Sequence, residues 1–195
     1  MPDAAVLPVP ISPALVVRAQ AGDEAAFEAI FAVYYPRIAS YCCRLVGDAE
    51  AAQDLAQETF IKAYHALPRT RAELNLQAWL FTIATNTALS ALRQRRRRPA
   101  LPLQEWLVAP AGMGGGLIEA VDDRALLQAA LDRLPRAAAA LLLLRLHYGM
   151  SYEELAPLFG GSVGAVKTRL SRARRAFRES YLAAGGHPDP ERRET

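Results

Sequence analysis

The 195-residue chain has only two cysteines, and they are neighbours, Cys42 and Cys43. Adjacent residues on a helix point about 100° apart, so the two are badly placed to pair, and the chain is not a disulfide scaffold. A reducing cytosol suits it. Strand signals are nearly missing. Long apolar runs are missing too: Leu141 to Leu144 lies between Arg136 and Arg145, far short of the roughly 20 residues that span a bilayer. The opening MPDAAVLPVPISP has no basic stretch and is broken by proline, which does not read as a signal peptide. There is no glycine loop to cradle phosphate, no H-E-x-x-H and no nucleophile elbow. His65, His147 and His187 show no metal spacing with the cysteine pair. These absences leave no catalytic residue, metal or cofactor to assign, and the chain is not read as an enzyme.

What is present is apolar mass and clustered charge. Hydrophobic residues make up 52% of the chain, which is ample for packed cores. The net charge is only +3, so the clusters matter more than the total. One cluster is SVGAVKTRLSRARRAFR, Ser162 to Arg178, with six Lys or Arg and no acid. Val163, Val166, Leu170, Ala173 and Phe177 recur at steps of three and four, the apolar stripe of a helix. Ser162 stands at its N-cap. The opposite face holds Gly164, Thr168, Ser171, Arg172 and Arg175, small residues ringed by cations. A solvated helix mixes signs, whereas this face suits close approach to a polyanion. A basic solvated face remains the plainer alternative. Just before it, SYEELAPLFGG carries a capping box, Ser151 with Glu154, and a glycine turn. Short helix, glycine turn and basic helix together predict a helix-turn-helix. Lys167 and Arg172 are placed to reach guanine acceptors, and Arg169, Arg174 and Arg175 to meet phosphates.

The rest of the chain also reads as helices. Asp23 caps one on which Phe27, Ile30, Phe31 and Tyr34 share a face, a pattern that continues through Ile38, Cys42 and Leu45, with a kink expected near Pro36. Gly47 ends it and Asp48 caps the next, which faces Ala52, Leu55, Thr59 and Ala63 inward. Outward it shows Asp54, Gln57, Glu58 and Lys62, a face equally suited to solvent and to a basic protein surface. A further helix begins at Leu76, carries Trp79 and Asn86, and runs into Arg93 and Arg95 to Arg98, more cations than a helix C-terminus needs. The fold class is therefore all-α, with two small helical domains joined by a flexible linker, the second containing the helix-turn-helix. The expected division is 1–20 as a flexible N-terminal segment, 21–98 as the first domain, 99–121 as a Pro- and Gly-rich linker, 122–182 as the second domain and 183–195 as a disordered tail. Trp106 is an odd residue for a free linker, and a docking role is expected for it.

Taken together, DAEAAQDLAQETFIKAY, AWLFTIATNTALSALRQRRRR and LPRAAAALLLLRLHYGMSYEELAPLFGGSVGAVKTRLSRARRAFRE resemble bacterial extracytoplasmic-function (ECF) sigma factors over roughly residues 20 to 180. The resemblance implies that 21–98 is sigma region 2 and 122–182 is sigma region 4. Asp54, Leu55, Gln57, Glu58 and Phe60 match the D-L-x-Q-E-x-F string that docks on core RNA polymerase. Asn86 matches the asparagine that helps receive a flipped base at the minus-ten element of promoter DNA. Arg93, Arg95, Arg96 and Arg97 are expected to support that strand, and residues 68–75 to shape the pocket. Lys167, Thr168, Arg169, Ser171, Arg172 and Arg175 are expected at the minus-thirty-five element. The resemblance also implies a cytoplasmic protein, not inserted in a membrane, that an anti-sigma factor inhibits, with a loose linker that lets the two halves close around that partner or on each other.

Three features depart from the family pattern. Thr82 and Thr85 stand where arginine is common, Pro157 interrupts the first helix of the helix-turn-helix, and Ala137 to Ala140 replaces partly polar residues, as if to face the partner domain or an inhibitor. The competing function is a stand-alone regulator that binds duplex DNA through Ser151 to Arg178, with the first half serving dimerisation or sensing.

Overall fold

The computed structural model describes residues 11–71, 73–97 and 118–186, and among them there are eight α-helices and no strand. The helices are α1 Pro13–Gln20, α2 Glu24–Val46, α3 Ala49–Ala66, α4 Leu76–Arg97, α5 Ile118–Asp132, α6 Arg136–Leu142, α7 Tyr152–Phe159 and α8 Val163–Ala183. Their ends follow local chemistry. The Asp23 carboxylate accepts from the Ala26 amide at 3.1 Å, and this bond, with the Arg18 guanidinium, holds its carboxyl below the usual range. Gly47 closes α2 in the left-handed region at φ 76°, and Asp48 opens α3 by accepting from Glu50 and Ala51. Pro36 lies inside α2, which is assigned as one helix on both sides of it. A π-turn over Leu143–His147 extends α6.

One expectation changes here. Residues 13–20, taken as part of a flexible segment, form α1, which buries Val16 and Ala19 and is tied by Gln20 to Thr70 at 2.8 Å. Helix α5 begins at Ile118, within the last residues of the stretch read as linker. Trp106, Arg98 and most of the tail lie outside the described residues, as do the side chains of Arg96 and Arg97.

Helices α1 to α4 form one bundle and α5 to α8 another, and the two share a continuous core. Tyr148 is its centrepiece. The residue is 1% exposed, and its ring lies 4.3 Å from Phe81 and 5.6 Å from Tyr41, both in the first bundle. Burial pushes its phenol up to about 12. Gln77 donates to the Tyr148 carbonyl at 2.8 Å. The open carbonyls at the end of α2 are satisfied from across the junction: Gln128 donates to that of Arg44 and Arg136 to that of Leu45. Asp132 braces both donors, at 3.2 and 2.8 Å. Ala139 and Ala140 are fully buried in α6, which packs on α8 and also on α2 and α4. The leucine run beside it is core.

Candidate nucleic-acid and protein interfaces

The periodicity of α3 turns Ala52, Leu55, Ala56, Thr59, Phe60 and Ala63 inward, where all are buried. Asp54, Gln57 and Glu58 are exposed. The D-L-x-Q-E-x-F string is therefore split by the helix. Three polar members can meet a partner, whereas Leu55 and Phe60 anchor the helix from below. Phe60 sits edge-on to Phe31 at 4.8 Å and within an aromatic group that includes Phe27 and Tyr35. Glu58 is paired to Lys62 at 2.6 Å, and Lys62 also donates to Thr87 of α4. Ile61 is 60% exposed and Tyr64 46%, extending the same outer face by one turn. Their apolar character at outward positions was the sequence signal for them.

Helix α4 projects Asn86 to solvent, next to buried Thr85 and Thr87. Thr85 is fully buried, shares a 2.7 Å hydrogen bond with Tyr41 and donates to the Phe81 carbonyl. An arginine there would place a cation in the core, so in this chain position 85 serves packing. Arg93 folds back on its own helix to the Leu89 carbonyl and Ser90, and Arg95 approaches Asp48 at 3.9 Å. Loop residue Asn75 is hydrogen-bonded to Glu154 at the start of α7, which joins the foot of α4 to the helix-turn-helix.

That motif is built as expected. Ser151 and Glu154 exchange both bonds of the capping box, Gly160 makes the turn at φ 62°, and Ser162 accepts from the Ala165 amide at 3.2 Å. Pro157 lies inside α7, which ends two residues later, so the helix is only eight residues long. Val166, Leu170 and Ala173 are buried, while Lys167, Thr168, Ser171, Arg172, Arg174, Arg175 and Arg178 are exposed. Arg169 is exposed as well. Its guanidinium donates to the Phe159 and Gly160 carbonyls at 2.6 and 3.2 Å, tying the turn. A groove of about 270 Å³ runs along α8, lined by Tyr152, Lys167, Ser171, Arg174 and Arg178 among others. Tyr152 was not singled out from sequence, although an aromatic just after a helix cap beside a basic helix was visible.

Among the described residues, no helix is long and apolar enough to cross a membrane. Family descriptions match both halves: Sigma-70 region 2 over residues 30–98 and Sigma-70, region 4 over residues 124–177. The chain is 37% identical over 175 residues to the RNA polymerase sigma-H factor of Pseudomonas aeruginosa, covering 84% of this chain and 90% of that one. It is 33% identical over 173 residues to the ECF RNA polymerase sigma-E factor of Salmonella typhimurium, with the same coverage of 84% and 90%. In structure it is similar to the sigma factor RpoE solved with the anti-sigma factor NepR from Bartonella quintana, with a TM-score of 0.64, 27% identity, and coverage of 80% of this chain and 96% of that one. Two helical halves with an acidic-polar helix in one and a basic helix-turn-helix in the other are thus the regions 2 and 4 of a known architecture, and the chain belongs to the ECF group of sigma-70 factors.

Proposed function

We propose that this sigma factor joins core RNA polymerase through the outer face of α3 and reads promoter DNA through two separate surfaces. Asp54, Gln57 and Glu58 form the docking row, with Ile61 and Tyr64 as its apolar extension and Leu55 and Phe60 fixing its base. Asn86 receives an unstacked base of the minus-ten element, with Arg93, Arg95, Arg96 and Arg97 near the strand. Lys167, Thr168, Ser171, Arg172 and Arg175 meet the minus-thirty-five element in the major groove, and Arg169 acts by bracing the turn that aims α8. The chain contributes no bond chemistry of its own. Work on polymerase and chromosome places it in the cytoplasm, and an anti-sigma factor is its expected inhibitor.

The observation that carries this reading is the single-signed, small-centred outer face of α8 in the same chain as the carboxylate-bearing row of α3. The junction around Tyr148 adds a constraint. Two elements about 25 base pairs apart lie about 85 Å apart along B-DNA, whereas α4, at about 1.5 Å per residue, is about 33 Å long and its foot touches α7. The halves must separate to read both elements, and the closed arrangement is therefore the resting state. Run-off transcription with core polymerase tests the reading. Wild-type protein should give discrete start sites from a genomic template; Arg172→Ala should lose discrimination at the upstream element, and Asn86→Ala should lose melting but keep duplex binding. Equal transcription with and without the protein would refute it.

A further inference from the structure

The geometry points to Tyr152 as a positioning residue for promoter reading: its ring, not its hydroxyl, holds the Lys167 ammonium in place beside α8. This inference rests on the reading of α8 as the helix that meets the minus-thirty-five element.

Tyr152 is the first residue of α7, and its place is fixed by the capping box on either side of it. Two cations share its ring. The Arg145 guanidinium carbon is 4.5 Å from the ring centroid and the Lys167 ammonium nitrogen 5.2 Å, both within the roughly 6 Å over which an aromatic face attracts a cation. Arg145 is further fixed by donating to the Met150 carbonyl at 2.7 Å. Among the described residues Lys167 has no such second anchor, and the ring is what orders it. The groove beside them contains Arg174, Arg175 and Arg178 and no carboxylate among its lining residues. Like charges crowd there, and the nearest acid, Glu179, pairs with Arg175 at 3.7 Å rather than with Lys167. The negative face of the ring favours both neighbouring cations before DNA arrives. A free lysine has four rotatable bonds to freeze when it meets a base edge or phosphate, and an ammonium already held over a ring has fewer left to freeze. Tyr152 thus acts on DNA through Lys167.

The test uses holoenzyme formed from the full chain and core polymerase. The probe is the duplex that the wild-type holoenzyme selects from a randomised library. Tyr152 is replaced by Phe, by Leu and by a series of increasingly fluorinated phenylalanines, which weaken the face of the ring at nearly constant shape. Expected is full binding for Tyr152→Phe, a stepwise loss along the fluorinated series and a total loss of about three- to tenfold for Tyr152→Leu. In a Lys167→Met background the fluorinated series should be flat. Equal losses for Tyr152→Phe and Tyr152→Leu would overturn the inference and assign the hydroxyl a direct phosphate contact. A flat series with Lys167 present, while Lys167→Met weakens binding, would overturn it and leave the reading of α8 intact. No effect of Lys167→Met would overturn both. The fluorinated series also decides the matter if Tyr152→Leu fails to fold.

Discussion

Helices α3 and α8 are built alike and used differently. Each is opened by a side-chain cap, Asp48 for α3 and Ser162 for α8, and each buries one apolar stripe. Their outer faces diverge. On α8 every charge from Lys167 to Arg178 is positive, and the first acid is Glu179, 3.7 Å from Arg175. On α3 the charges are mixed, and Glu58 is already half-neutralised by Lys62. A single-signed face costs stability through self-repulsion and so points to a ligand even in isolation. A mixed face gives no such signal, because a solvated helix looks the same. Exposed Ile61 and Tyr64 are what separate α3 from a solvent helix.

The comparison can be broken from either side or at the junction between the halves. The largest effect is expected at the junction. Tyr148→Ala removes a ring packed on Tyr41 and Phe81 and should cost about 3–5 kcal/mol of stability, read by thermal or denaturant unfolding. It should also separate the halves, seen as lower energy transfer between dyes on α3 and α8. A variant as compact and stable as wild type would mean that the shared core is not what holds the halves together.

Next in size is the split between reading and positioning on α8. Arg172→Ala should cost about 1–3 kcal/mol on the preferred duplex and relax its preference, whereas Arg175→Ala should weaken all duplexes alike and lower the salt slope by about one. Holoenzyme titrations at several salt concentrations distinguish the two, and identical behaviour of the variants would erase the distinction. Smaller still is the cap. Ser151→Ala should cost about 1 kcal/mol in unfolding, with Glu154→Gln keeping part of the box.

The last prediction concerns pH. The folded-state phenol of Tyr148 is raised from 10.0 to about 12 by burial. Its contribution to the closed state is therefore complete below pH 10 and lost as pH rises through about 12. Compactness followed by energy transfer should fall in that window, and Tyr148→Phe, which has no proton to lose, should delay the fall. The same pH dependence in both proteins would move the cause elsewhere.

Much of this was legible in the residues. Gly47–Asp48, Ser151 with Glu154, and Gly160–Ser162 mark helix ends through backbone chemistry, which is local, and all three appear where read. The stripe of α8 and the inward set of α3 follow from period alone. What was not legible depends on contacts between distant segments. Tyr148 carries no local sign that it will enter the first bundle. Nothing local announces that Arg169 reaches the carbonyls of Phe159 and Gly160 at the end of α7. Val16 and Ala19 make α1 a packed helix, although the prolines before it suggested a loose segment. Thr85 looked like a missing arginine until its bond to Tyr41 showed a core position. Phe60 was grouped with Asp54 and Glu58 by string alone, and the helix turns it inward beside Leu55.

The most direct test of the central claim is co-elution of the purified protein with bacterial core RNA polymerase on a sizing column, beside an Asp54→Lys/Glu58→Lys variant. The account predicts that the wild type moves to the polymerase peak, while the variant elutes alone with its helical signal unchanged. If neither protein moves and both bind duplex DNA equally well, α3 is a solvated helix and the chain acts on DNA without polymerase, which contradicts the account.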